Sequence, residues 1–217
     1  MGQLTQTTSE VQNDIDRVYP KDSGVGIKVD TDAPTFPWRD ITGTIAIKDS
    51  NAGNNPSFVA WKGSTLQYQF TVGDLSTIVL HMPHDWAVGT PMYIHAHWTH
   101  NSASVTTGAV DWEFDVSFAN GFDQDNFVTT NTVNAIQNAS TQQLQHMIAE
   151  VQIAEPGGGA GLFNSNDMEI DGIFVIQVSL NCNTMDGGAL PFLHEVDIHY
   201  QSTNIGTKEK APPFYGA

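Results

Sequence analysis

The sequence predicts an all-β fold, an antiparallel β-sandwich of the jelly-roll type with an extended N-terminal arm. Three observations favour this fold class. Apolar and polar residues alternate in short runs, as they do in strands that bury one face. Gly, Pro, Asn and Asp cluster between the runs, where they form turns. About nine or ten such runs cover the chain with almost no helical spacing, which is typical of a sandwich or barrel.

The composition is that of one folded domain. The 217 residues are 40% hydrophobic and 10% aromatic, with 19 Gly and 10 Pro, and a sandwich of this length does not have to split into domains. The 24 acidic and 8 basic residues give a formal net charge of -16. Because this charge repels nucleic-acid phosphates and anionic membrane surfaces, we expect neither nucleic acid nor membrane as a partner.

Residues 1–40 differ from the rest of the chain. They contain one short helical pattern, at Val11, Ile15 and Val18, and several Gly and Pro residues. Such a segment buries too little apolar surface to fold alone, so we expect an arm that orders on its own domain or on a partner. Residues 41–217 then form the jelly-roll domain. The basic and apolar regions of a secretory signal are missing, so secretory export is not expected.

The predicted strands follow in order along the domain. They are the runs at 45–47, 58–61, 66–72, 78–82, 92–98, 110–118, 127–133, 144–153, 173–180 and 192–200. The run at 144–153 fits both helical and strand spacing, and a strand is favoured because it lies among strands and precedes a Pro-Gly turn. The run at 173–180 begins apolar on both faces, as an interior strand does.

The strand at 92–98 carries the most informative pattern. Its alternation places His95 and His97 on one face and Ile94 and Trp98 on the other. Two imidazoles on one face need hydrogen-bond partners, water or a metal ion. Everything functional therefore depends on what these two histidines face.

The run at 192–200 offers partners for them. Alternation places Glu195, Asp197 and His199 on one face and sets His194 with the apolar residues on the other. Carboxylates beside imidazoles form charge-assisted hydrogen bonds, so we expect this strand near the histidine strand.

Metal binding is the sharpest alternative function. His95, His97 and a carboxylate such as Glu195 or Asp197 would make the two-histidine, one-carboxylate set of non-haem iron sites, or a zinc site. The His-x-His strand in a double-sheet barrel also resembles the cupins, although the Glu of their pattern is missing. Hydrogen-bonded or interface imidazoles are favoured over ligands, and no cofactor is expected.

Other catalytic patterns are weak. Cys182 is the single cysteine and forms no intramolecular disulfide; its strand position indicates a buried or half-buried residue. The chain contains no G-x-S-x-G, and the Gly-rich stretch 157–161 lacks the Lys of a phosphate loop. Asp111, Glu113 and Asp115 alternate along one strand, which indicates a solvated face and not a glycosidase pair. We therefore expect that the protein is not an enzyme.

Three segments together resemble a family of tailed-bacteriophage virion proteins. They are Ile94–Trp98 preceded by Pro91, Val110–Phe118, and Glu195–Gln201 followed by Ile-Gly-Thr. The resemblance covers roughly residues 78–207. Members of this family are similar to jelly-roll structural proteins that form trimers on phage particles, as capsid decoration (cement) proteins or as parts of tail and fibre assemblies.

The resemblance implies a non-enzymatic protein made in the host cytoplasm and placed on the capsid surface of the virion. It implies a homotrimer whose partner is the major capsid protein. The trimer-interface candidates are His95, His97, Trp98, Asp197 and His199, because three copies of a strand face meet near a common axis. The capsid-binding candidates lie in the arm and include Val11, Ile15, Val18 and Tyr19. The alternatives are a tail- or fibre-associated protein that binds host-surface glycans, and a cupin-like metal-dependent enzyme.

Overall fold

The computed structural model describes residues 17–20, 27–30, 36–46, 53–122 and 124–203. The chain divides into two compact units, Met1–Pro37 and Trp38–Ala217. Within the described residues, no helix has the length and apolar character needed to cross a membrane.

In the first unit, β1 (Arg17–Pro20) and β2 (Ile27–Asp30) pair as antiparallel strands. Val18 and Tyr19 belong to β1, so Val18 lies in a strand and not in the helical turn that its spacing suggested. The other two predicted arm residues, Val11 and Ile15, lie outside the described residues.

The second unit is built from strands. They are β3 (Trp38–Gly43), β4 (Ser57–Lys62), β5 (Thr65–Gln69), β6 (Leu75–His81), β7 (Met92–His100), β8 (Ala109–Ala119), β9 (Thr130–Asn138), β10 (Met147–Glu155), β11 (Phe163–Asn164), β12 (Ile173–Asn183) and β13 (Pro191–Gln201). One 3-10 turn, at Asp186–Gly188, precedes β13.

The strands form two sheets with jelly-roll order. The larger sheet contains β3-β13-β7-β10, with the short β11 parallel to β10 and the β4–β5 hairpin paired to the start of β13. The smaller sheet has the order β6-β12-β8-β9. These are the two four-stranded sheets of a jelly roll, with β4–β5 as an inserted hairpin. The predicted antiparallel sandwich is confirmed.

The core lies between the two sheets and explains the alternation in the sequence. Ile94, Ala96 and Trp98 of β7 are fully buried, as are Trp112 and Phe114 of β8, and all five belong to one apolar cluster. Burying each large side chain contributes about 1.5–3 kcal/mol. The strands therefore present every second residue to the core.

The ends of several strands differ from the prediction. β3 begins at Trp38, so residues 38–40, which the sequence placed in the arm, belong to a strand paired with β13. In the predicted run 45–47, the described part holds an isolated bridge between Ala46 and Thr77. β9 starts three residues later than expected. The ambiguous run at 144–153 is a strand from Met147 onward.

A β-bulge in β13 changes which residues share a face. Leu193 pairs with Trp98 and Glu195 pairs with His97, which leaves His194 as the extra residue. Leu193 therefore points into the core, while His194 points to the outer side. The predicted alternation is correct for the residues that follow the bulge and incorrect for those that precede it.

The acidic alternation of β8 lies on the outer face of the smaller sheet. Asp111 accepts hydrogen bonds from the side-chain amides of Asn134 at 3.2 Å and Asn181 at 2.7 Å. Asp115 accepts one from the Thr132 hydroxyl at 2.6 Å. Neutral amide and hydroxyl side chains on the neighbouring strands therefore supply hydrogen bonds to these two carboxylates.

Asp85, in the loop before β7, ties three segments together. Its carboxylate accepts hydrogen bonds from the Tyr200 hydroxyl at 2.9 Å and the Ser202 hydroxyl at 2.6 Å, and lies 3.1 Å from Nη1 of Arg39. Its backbone oxygen accepts a bond from the amide of Thr203 at 2.7 Å. Burial, followed by the neighbouring Asp85 carboxylate, raises the pKa of Tyr200 to about 12.

Candidate functional site

The outer face of the larger sheet collects five of the eight histidines of the chain. They are His95 and His97 of β7, His146 just before β10, and His194 and His199 of β13. Cross-strand register places Glu150 of β10 and Asp197 of β13 on either side of His95. We call this surface the histidine face.

His95 lies at its centre and is almost enclosed. Its side chain is 9% exposed; Nε2 lies 2.7 Å from Oε2 of Glu150, and Nδ1 lies 3.2 Å from Oδ1 of Asp197. The contact with Asp197, together with the contact with Glu150, raises the pKa of His95 against the opposite effect of burial. This imidazole is held between two carboxylates.

Asp197 links His95 to His97. Its Oδ2 lies 3.2 Å from Nε2 of His97, and its side chain is 6% exposed. Burial alone would raise the pKa of this carboxyl, but the two imidazoles outweigh that effect and lower the pKa to about 2. Within the described residues, no donor is in line for a hydrogen bond to Asp197 Oδ1.

The remaining histidines contact rings and polar groups. His97 Nδ1 lies 2.8 Å from Nε2 of His146, and the two rings stack with centroids 5.0 Å apart. His194 Nε2 lies 2.9 Å from the Thr99 hydroxyl, and burial, followed by the charges of His146 and His97, lowers the pKa of His194. Trp61 donates a hydrogen bond to that same hydroxyl at 2.8 Å.

The edge of the face is aromatic. His199 Nε2 lies 3.8 Å from Oδ1 of Asp40 on β3. The ring of Trp38 lies 4.8 Å from that of His199 and 5.7 Å from that of Tyr93, both edge-on. The His199 ring is in turn 5.0 Å from the His95 ring, so the edge and the centre are continuous.

Four of the five predicted interface residues share this face, and Trp98 does not. Trp98 is 0% exposed, and its indole N–H donates to Gln137 Oε1 inside the sandwich at 2.9 Å. It is on the opposite side of β7 from His95 because side chains alternate along a strand. Trp98 is therefore unavailable to another subunit.

Of the two carboxylates that the sequence offered for a metal set, only Asp197 lies close to both histidines. Among the described residues, two groups of three bring candidate ligand atoms within 4.8 Å of one another: His95 with His97 and Asp197, and Asp40 with His95 and His199. Glu195 is opposite His97 in register but belongs to neither group. Asp197 replaces it.

Sequence reasoning missed Glu150 and His146. Glu150 lies on β10, whose run was ambiguous between helix and strand, so its face was undefined. His146 lies in a polar loop without alternation. The pairing of β10 with β7 was the missing information.

His95 and His97 lie on the opposite face of their strand from the one that a cupin-like site inside the barrel would need. A site inside the barrel would need the imidazoles on the inner face of β7, and Ile94, Ala96 and Trp98 fill that face completely. His95 and His97 point away from the sandwich interior. The histidine face is therefore an outer surface of the sandwich and not a site enclosed within a barrel.

A separate cleft of about 570 Å³ lies beside the ends of β8 and β9. Amide and carboxylate side chains line it together with Phe163. Asn120 donates a hydrogen bond to Asp125 at 3.1 Å, and Asn164 donates one to Asp167 at 2.7 Å. These bonds fix the polar groups around the opening.

Comparisons with known proteins give likenesses to solved structures and no match to a family or a curated protein. Among solved structures, the chain is similar to TmCBM61, a carbohydrate-binding module in complex with beta-1,4-galactotriose, with a TM-score of 0.27 and 11% identity over 75% of this chain and 87% of that chain. Strand order and the histidine face define this chain as a jelly-roll β-sandwich protein with a histidine-rich outer sheet.

Proposed function

We propose that the protein is a non-enzymatic structural protein of a bacteriophage virion, acting as a homotrimeric capsid decoration protein. The observation that carries the proposal is the make-up of the histidine face. Imidazoles and the rings of Trp38, Trp61 and Tyr93 occupy a sheet surface that points away from the core. Aromatic side chains are enriched at subunit interfaces, whose centres are poor in charged residues.

Charge favours this face over the rest of the surface for self-association. At a net charge of -16, copies of the chain repel each other through most of their surfaces. The histidine face instead combines imidazoles with carboxylates, and the side chains of Glu150 and Asp40 are 54% and 51% exposed. An imidazole of one copy can therefore donate to a carboxylate of the next around a threefold axis.

Matched substitutions of exposed isoleucines test the trimer. Ile148 is 42% exposed on the histidine face, opposite His97, and Ile136 is 73% exposed on the outer face of the smaller sheet. We expect Ile148→Lys to convert the trimer to monomers because it buries a charge in the interface, and Ile136→Lys to leave the trimer intact. Native mass spectrometry measures both. A monomeric parent chain, or a trimer that survives Ile148→Lys, contradicts the assembly.

Removal of the first unit tests the capsid contact. Deletion of residues 1–37 stops before β3 and leaves the pairing of β3 with β13 complete. We expect the shortened chain to remain a trimer and to lose co-sedimentation with capsids of the major capsid protein. Binding that survives the deletion refutes the role of the arm, and a full-length chain that never binds capsids refutes decoration.

The cleft favours one alternative, a tail- or fibre-associated protein that binds host-surface glycans. Fixed amides and carboxylates beside an aromatic ring are groups that hydrogen-bond and pack against sugars. Asn131 lines the cleft, while Asn134 on the same strand contacts Asp111 outside it. Glycan-array binding that is lost in Asn131→Ala and kept in Asn134→Ala supports this alternative; a parent chain that binds no glycan removes it.

A further inference from the structure

We propose that His95, His97 and Asp197 bind one divalent transition-metal ion per chain, with Zn²⁺ as the expected occupant. The site lies within a single chain, on two adjacent strands of the histidine face. The inference is independent of the capsid role, because a structural metal could serve any assembly formed by this sheet.

The geometry of the three side chains fits such an ion. One ligand atom from each residue lies within 4.8 Å of the other two. Zinc holds its nitrogen and oxygen ligands at about 2.0–2.2 Å, which places neighbouring ligand atoms about 3.3–3.6 Å apart. Small side-chain rotations close that difference. The side chains of His95, His97 and Asp197 are 9%, 18% and 6% exposed, so the ion would be largely shielded from water.

The carboxylate of Asp197 gives a second reason to expect a cation at this position. Its side chain is more than nine-tenths buried, and its Oδ1 points into the group without a hydrogen bond from the described residues. Nδ1 of His95 is 3.2 Å away but out of line for a hydrogen bond. An unsatisfied buried carboxylate oxygen costs about 1–3 kcal/mol. A cation at this position satisfies it.

The outer contacts of both histidines orient them for coordination. Glu150 Oε2 is 2.7 Å from His95 Nε2, so the neutral ring donates Nε2–H to Glu150 and turns the lone pair of Nδ1 towards Asp197. His97 can donate Nδ1–H to Nε2 of His146 at 2.8 Å and turn the lone pair of Nε2 towards the same carboxylate. Such outer partners fix the tautomer of metal-ligating histidines.

The donor set selects the class of metal. Two imidazole nitrogens and one carboxylate oxygen suit zinc and neighbouring transition metals, whereas calcium and magnesium take oxygen ligands. Three protein ligands leave a fourth position for water or for a group that approaches the outer side of the sheet. We therefore expect the site to bind zinc more tightly than magnesium or calcium.

The test uses the full chain, purified without a histidine tag and stripped with a chelator. Calorimetric titration with ZnCl₂ should give one site per chain, with an affinity at least tenfold weaker in His97→Gln and in Asp197→Asn. Two matched controls should keep the parent affinity: Glu195→Gln, opposite His97 but outside the group, and His81→Gln, on the other sheet. His97→Gln keeps the test decisive if Asp197→Asn does not fold.

Zinc binding by the Ile148→Lys monomer distinguishes a metal site within one chain from a site that forms only in the trimer. Zinc bound at one ion per monomer, with Co²⁺ substitution giving the visible spectrum of a nitrogen and oxygen site, supports the intrachain set. A parent chain that binds no zinc, binding that is unchanged in His97→Gln, or binding seen only in the trimer overturns it. None of these results depends on whether the protein binds capsids.

Discussion

Removing the Tyr200 hydroxyl should measure the strength of the contacts around Asp85. In Tyr200→Phe the ring stays in the core, and one hydrogen bond of 2.9 Å to a carboxylate is lost. A bond to a charged group contributes about 1.5–3 kcal/mol. Burial and, after it, Asp85 raise the pKa of Tyr200 to about 12, so the contact with Asp85 accounts for only part of this shift. A shift of two pKa units above the usual value corresponds to at most about 2.7 kcal/mol.

A change of pH separates the contribution of the Tyr200 hydroxyl from that of the ring, because only the hydroxyl titrates. Because the folded-state pKa is raised, the neutral phenol stabilises the fold fully below pH about 10, and this stabilisation is lost as the pH rises to about 12. Urea unfolding followed by tryptophan fluorescence should show Tyr200→Phe less stable than the parent by about 2 kcal/mol at pH 8. The difference should shrink above pH 10.

A double-mutant cycle with Asp85→Ala completes the measurement. Asp85→Ala should cost more than Tyr200→Phe, because it also removes the acceptor of the Ser202 hydroxyl. The double variant should be more stable than the sum of the two losses predicts, since both variants remove the same bond. A Tyr200→Phe variant within about 0.5 kcal/mol of the parent at pH 8, or a difference that persists at pH 12, would refute the reasoning.

Three further predictions concern other parts of the sandwich. Trp98→Ala should lower the free energy of unfolding by about 3–5 kcal/mol without changing the subunit number of the folded fraction, because this side chain fills the core and not an interface. Gly108→Ala should destabilise by about 2 kcal/mol or more, seen as a lower urea midpoint, because φ is 115° and the new methyl would lie 2.4 Å from the backbone oxygen of Thr184. Cys182 is exposed in the structure and not buried or half-buried as its strand position suggested. It should react fully with a maleimide in the native protein, with one adduct counted by mass spectrometry; a thiol that reacts only in denaturant contradicts this.

Alternation was enough to predict the parts of the fold that depend on a period of two. It identified most of the strands, the shared face of His95 and His97, and the placement of Ile94 and Trp98 on the opposite face of β7, although Trp98 was still counted as an interface candidate. It also brought Asp197 to that face, because the bulge of β13 lies before this residue. These features follow from burial along a single strand, and a single sequence records burial well.

Features that depend on pairing between strands could not be predicted in this way. β3 is a polar strand with few buried residues, and it exists because β13 offers a free edge. Glu150 reaches His95 only through the register of β10 on β7. Long-range partners leave no periodic signal in the chain, so the sequence could name candidate ligands but could not choose Asp197 over Glu195.

The bulge of β13 also bears on how this chain tolerates changes in length. A one-residue deletion in a central strand usually inverts one face of a sheet, because it moves every later side chain to the other side. Here Leu193 and Glu195 already pair with consecutive residues of β7, Trp98 and His97. His194 can therefore be removed while every other pair along the strand keeps its partner, so we expect the sheet to tolerate a deletion at this position better than at its neighbours.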